Sequence, residues 1–295
     1  MKSWLHTVPL LLLLVLSCTE KVNLRSRSDY HDYLCVDAVL TDRADRPQQV
    51  FLSRTVSYFE EEELPRVGGA AVSVDEVVFR ETEPGVYQAP DGYACIPGHS
   101  YHLKISLPGG AQVEAEASMP EPGFRLDEID YAYAGNKATG LDSLWTLAIW
   151  GRDELVDSYY HISLGINGSF YPFQFAETMD DKYFNGHDVA GFPITTLIQT
   201  ARLRERYGDC FKYLERGDVI TLEALTIDRG YYDFLLALTL SGTSIPIFSP
   251  QPANVPTNLR GDHVLGWFAV CPVVSASVTV EDPHRPYYRK LMPGK

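Results

Sequence analysis

From Tyr33 onward, apolar and polar residues alternate in short runs separated by turn formers. YLCVDAVLTD, QQVFLSRTVSY, AAVSVDEVVFRE, GVYQAP, SYHLKISLPGG and AQVEAEASMP each carry the period of two that turns one strand face to a core and the other to water. Gly68-Gly69, Glu83-Pro84-Gly85, Pro97-Gly98 and Pro108-Gly109-Gly110 punctuate the runs as turns. Short, closely spaced strands without helical period predict a β-sandwich over residues 33–121. Met119-Pro120-Glu121-Pro122-Gly123 reads as a stiff linker and places a domain boundary near residue 121.

Residues 122–285 continue with RLDEIDYAYA, SLWTLAIWGRD and DSYYHISLGING, the last closing on the hairpin signal Asn167-Gly168. Residues 170–193 are rich in aromatics and turn formers and predict an irregular excursion. Residues 194–206 (ITTLIQTARLRER) fit a strand or a helix, and their periodicity does not separate the two. FKYLERGDVITLEALTI predicts a hairpin around Arg216-Gly217-Asp218. One helix is predicted over YYDFLLALTLS, with Asp228 as its cap, Gly242 to end it and Pro246 beyond. It is apolar nearly all round, which predicts burial against a sheet. HVLGWFAVCPVVSASVTV reads as one closing strand, and residues 286–295 as a polar tail that frays. The expected fold is mainly β: a sandwich at 33–121, then a larger β-rich domain at 122–285 with one buried helix.

The N-terminus breaks this pattern. Lys2 precedes an almost unbroken apolar run from Val8 to Leu16, too short to span a bilayer, so residues 1–17 read as a signal peptide. Val15-Leu16-Ser17-Cys18 resembles a bacterial lipobox, which implies cleavage before Cys18 and lipidation of its thiol. Residues 18–32 then form a polar tether, and a lipid-anchored location is expected. The net charge of −14 argues against nucleic-acid partners, which need clustered Lys and Arg. With Cys18 lipidated, Cys35, Cys95, Cys210 and Cys271 remain in an exported chain. Cys35–Cys95 with Cys210–Cys271 is the preferred of three possible disulfide pairings.

Candidate chemistry is sparse. The sequence has no G-x-S-x-G elbow, H-E-x-x-H pair or Walker loop, and the cysteine spacing is not of a metal type. No catalytic residue, metal or cofactor is therefore expected. Glu60 to Glu63 reads as a solvated loop. His99 with His102 reads as a surface pair, and Asp180, Asp181 and Asp188 read as solvated carboxylates in preference to a cation site. Tyr171, Phe173, Phe175, Tyr183 and Phe184 are the better lead, since aromatics on a β scaffold stack on sugars or anchor partners; core filling competes with that reading. Asn254 and Asn258, in a Pro-rich loop, are a second candidate contact.

Gly69-Ala70-Ala71-Val72-Ser73-Val74, Gly85-Val86-Tyr87 and Gly98-His99-Ser100-Tyr101-His102-Leu103 together resemble the Ig/transthyretin-like and carboxypeptidase-regulatory-like sandwiches. To these the chain adds Asp181-Lys182-Tyr183-Phe184-Asn185-Gly186, Arg216-Gly217-Asp218-Val219 ahead of a Tyr-Tyr helix, and Val264-Leu265-Gly266-Trp267-Phe268. In that order, with the lipobox, they resemble the Bacteroidota lipoproteins grouped as domain of unknown function 4249. The resemblance implies a non-enzymatic outer-membrane accessory that captures ligand for, or gates, a TonB-dependent nutrient receptor. It brings no catalytic residues. A surface glycan or peptide hydrolase and a structural or adhesive envelope module are the alternatives.

Overall fold

The alternating runs fold as read. The structure, a computed structural model, describes residues 33–56, 64–135, 143–172, 175–199, 201–242 and 255–289. The signal, Cys18, the tether, Glu60 to Glu63, Phe173 and Asn254 lie outside the described residues. The early strands are β1 (Leu34–Thr41), β2 (Gln49–Arg54), β3 (Ala71–Val74), β4 (Val77–Glu83), β5 (Val86–Gln88), β6 (Ser100–Ser106) and β7 (Gln112–Ser118). In β6, Tyr101, Leu103 and Ile105 point inward, and in β7 so do Val113, Ala115 and Ala117, with polar residues between them. β4 pairs with β3 over Val77–Phe79 and with β5 from Arg80 onward. The change of partner joins two half-sheets around one core.

The later strands are β8 (Phe124–Tyr133), β9 (Ser143–Asp153), β10 (Tyr159–Ile166), β11 (Ser169–Phe170), β12 (Glu177–Asp180), β13 (Asp188–Gln199), β14 (Val219–Ile227), β15 (Val264–Cys271) and β16 (Val273–Thr279). The helices are α1 (Ala201–Tyr207) and α2 (Arg229–Gly242). The sheet orders are β15-β1-β2-β5-β4-β3-β6-β7, β11-β10-β14-β16 with β12 also on β10, and β13-β9-β8. The last two enclose a second core around Tyr131, Trp145, Leu147, Leu197 and Ile220.

The boundary at residue 121 separates sheets without separating domains. β15 returns to pair with β1 in parallel, from Leu34↔Val264 to Thr41↔Cys271, and brings Leu259, Val264, Phe268 and Val270 into the N-terminal core. The described residues belong to one compact unit. The stretch read as one closing strand is thus two strands in different sheets, divided at Pro272, which has no N–H to donate to a ladder. The first sheet then nearly closes on itself. Glu114 of β7 bridges Arg260, and Asn258 Nδ2 donates to Glu116 O (3.3 Å) and Phe268 O (2.7 Å), while its Oδ1 accepts from Phe268 N (3.0 Å).

Other expectations change in detail. Residues 194–206 are strand to Gln199 and helix from Ala201. No hairpin forms around Gly217; the segment before β14 is a 3-10 turn and loop, and β14 pairs with β10 and β16. The excursion contains β12 and the start of β13. Asp228 caps α2 as predicted, its Oδ1 accepting from Tyr231 N at 3.0 Å. The helix buries only one side: Tyr231 and Leu235 pack against Ala269 and Cys271, whereas Leu236 and Leu240 are exposed. The tail is docked through Arg289. Asp130 is buried, and a buried carboxylate needs a counter-charge; Arg285 pairs with it, and Arg289 N donates to it at 2.6 Å.

None of Cys35, Cys95, Cys210 and Cys271 is disulfide-bonded, so neither expected pairing is formed. Cys95 N donates to Thr41 O at the far end of β1 from Cys35. Six residues of strand separate those ends by about 20 Å, against a Cα separation of less than about 7 Å for a disulfide. Cys210 sits in the 3-10 turn at Asp209–Phe211, and Cys271 packs beneath α2. Burial pushes the Cys95 thiol up to about 11 and Cys271 well above its ordinary value, which suppresses the reactive thiolate.

Two tests follow from this architecture. Unfolding the chain without reductant in the presence of a thiol reagent should titrate all four of these cysteines. Gly266 has φ +108°, and a Cβ there would lie 1.9 Å from Val36 O in the facing strand. Gly266→Ala should therefore cost about 3–5 kcal/mol in denaturant unfolding, through both backbone strain and loss of the β1–β15 ladder.

Candidate functional site

β9 ends in Asp153, which is fully buried. Its carboxylate accepts from Tyr160 Oη (2.6 Å) and Gly186 N (3.1 Å), and burial raises its pKa. This bond ties the turn after β9 to the turn after β12. A second tie is Asp181, 4% exposed, whose Oδ2 accepts from Ser158 N at 2.7 Å. The Asp181 carbonyl also accepts from Phe184 N (2.8 Å) and Asn185 N (2.9 Å), folding that turn tightly. Asn185 Nδ2 then donates to Asp157 at 3.1 Å. Gly186, at φ +73°, completes the turn where a Cβ would strike Leu155.

The first turns of α2 face these two turns. Arg229 pairs with Asp233 one helical turn on, at 3.0 Å, and donates from Nη1 to Tyr159 Oη at 3.1 Å. Its guanidinium lies 5.4 Å from the Tyr159 ring centroid and 5.9 Å from that of Tyr232. The two tyrosine rings are 4.7 Å apart and tilted by 40°. Between helix and turns is a cleft of about 510 Å³, lined by Asp157, Tyr159, Asp180, Asp181, Lys182 and Asn185 on one side, and by residues of α2 out to Leu236 on the other. Lys182 pairs with Asp180. Burial, with Asp157 and Asp180 nearby, raises the Asp181 pKa. The cleft thus combines hydrogen-bond donors, acceptors, two aromatic rings and an excess of carboxylates.

The aromatic candidates from the sequence do not converge here. Phe184 is core: it meets Phe192 at 5.3 Å and lines an apolar void of about 20 Å³ with Phe124 and Ile149. Tyr171 stacks on Phe211 at 4.4 Å, and its hydroxyl accepts from Gln199 Nε2 at 2.6 Å. Phe175 packs edge-on to Phe211 (4.9 Å) and Tyr207 (5.3 Å). Tyr183 is 88% exposed, beside the cleft-lining Lys182. Asn258 staples the first sheet, as described above. Asp188 pairs with Arg152 at 3.0 Å, away from Asp180 and Asp181. Among the described residues no group of three or more His, Cys, Asp or Glu is arranged to hold a metal ion. Tyr159, Arg229, Tyr232 and Asp233 escaped the sequence reading. Their one local signal was the Arg229/Asp233 spacing around Tyr232 at a capped helix start.

β10 carries one further buried titratable group. His161 is 7% exposed, with Nδ1 3.0 Å from Thr178 Oγ1 of β12, and burial lowers its pKa from 6.5 to about 4. The unfolded chain therefore binds the extra proton first. Stability from the neutral imidazole is complete above pH 6.5 and is lost as pH falls toward 4. The native chain should lose about 3 kcal/mol more than His161→Gln between pH 7 and pH 4 in urea unfolding. The raised Asp153 and Asp181 act in the opposite direction and cancel in that comparison.

Comparison with curated proteins gives no match. The family model described as Domain of unknown function (DUF4249) matches residues 19–277, which takes in β1 to β15, most of β16 and the whole cleft. The chain belongs to that family.

Proposed function

We propose that the chain is a lipid-anchored accessory of the outer membrane, held through Cys18, that captures a ligand for, or gates, a TonB-dependent receptor. The cleft between α2 and the β9–β10 and β12–β13 turns is the observation that carries this reading. It is concave, walled by both polar and aromatic side chains, and set on turns locked by buried Asp153 and Asp181. Preorganised groups on a packed β scaffold lower the ordering cost of binding. Among the described residues no helix is long and apolar enough to cross a bilayer. Attachment through the lipid confines the chain beside a receptor, so weak contacts suffice at high effective concentration.

A surface hydrolase draws on the same cleft. The raised Asp181 beside Asp157 and Asp180 is the environment a general acid uses. Its bond from Ser158 N gives that carboxylate a structural task already.

The test is a mild-detergent pull-down of the tagged chain from its native envelope, with Cys18→Ala beside it. A β-barrel transporter should be recovered in near-stoichiometric amount with the native chain and lost with Cys18→Ala. Membrane-bound chain recovered alone would overturn the accessory reading.

A further inference from the structure

The cleft walls narrow the chemistry of what fits. An anion site presents donors, and a cation site presents acceptors; a hydroxyl needs both at once. Asp157 and Asp181 offer acceptors, while Lys182, Asn185 and Arg229 carry donors on the same walls. Tyr159, Tyr232 and Leu236 add apolar surface for the C–H face of a ring. Carboxylates outnumber cations, with Asp157, Asp180, Asp181 and Asp233 against Lys182 and Arg229, which disfavours phosphorylated, sulfated or uronic ligands. The volume of about 510 Å³ lies within the range of small-molecule sites.

We infer that this cleft binds a neutral sugar, with its hydroxyls on Asp157, Asp181 and Lys182 and one ring face against Tyr232. The inference rests on the capture reading above and names the ligand class for it. Arg229 and its partner Asp233 are both well exposed, so Arg229 can turn to a hydroxyl without leaving a buried charge behind, whereas exposed Lys182 has donors to spare for a hydroxyl while it keeps its pair with the largely buried Asp180. Tyr232, anchored on a capped helix, supplies a ring platform at little entropic cost.

Titration calorimetry on the full-length chain in detergent tests this with four probes: maltose, cellobiose, glucuronic acid and trilysine. At least one of the two neutral disaccharides should bind, and glucuronic acid should not. Tyr232→Ala and Lys182→Ala should each weaken that binding about tenfold, and His102→Ala, on the first sheet, should leave it unchanged. Lys182 has a largely exposed side chain, so its variant keeps the test open if Tyr232→Ala fails to fold. Binding of trilysine alone, equal binding of glucuronic acid, binding insensitive to both variants, or no binding of either disaccharide would each overturn the sugar assignment. The receptor pull-down is read separately: a recovered transporter with no sugar binding leaves the accessory role standing and removes only the ligand class.

Discussion

The parallel ladder between β1 and β15 is the constraint on which the remainder of the molecule depends. It runs the whole length of β1 and joins residues more than 200 positions apart in the chain. The ladder needs Gly266 opposite Val36, because the backbones approach too closely there for any Cβ. β15 also places Phe268 where Asn258 can bond both to it and to β7, so one strand fills the core and draws the sheet toward closure. A sheet that nearly meets its own edge leaves little unpaired backbone to aggregate.

From the end of β15 the chain passes through Pro272 directly into the second sheet. The β1–β2 loop clamps that crossing. Asp42 Oδ1 accepts from Val273 N at 3.0 Å, and Arg46 grips buried Glu223 of β14 through a two-pronged pair. An arginine fork on a buried carboxylate fixes orientation as well as distance. The two sheets are thereby held as one body. α2 spans their junction, packing on β15 through Tyr231 and Trp267 and facing β10 and β12 with Arg229 and Tyr232. The cleft exists because this helix covers the junction on one side and on the other meets the ends of β10 and β12 and the turns beside them.

Those turns are held by buried carboxylates whose backbone and hydroxyl donors repay much of their desolvation. The cleft floor is therefore stiff, whereas its cationic rim, Lys182 and Arg229, is exposed and able to rearrange. That arrangement suits the sugar capture proposed for the cleft.

Much of the fold was legible in the sequence. Alternation in runs such as SYHLKISLPGG depends only on neighbours two apart, and the Asp228 cap depends only on three residues, so both survive any tertiary context. The family, too, was readable from the order of local motifs. Which sheet a strand joins is a different matter: VLGWFAVC and VVSASVT look like one strand until distant partners, β1 and β14, claim them separately. The same limit hid the cleft, whose walls come from residues 157–185 and 229–236, and the places of Phe184 and Asn258, whose types suit exposed contacts but whose neighbours in space are core and backbone. Sequence determined the period, the turns and the caps, because these are local free energies; tertiary structure alone decided pairing, closure and site, because those are set by contacts between segments far apart along the chain.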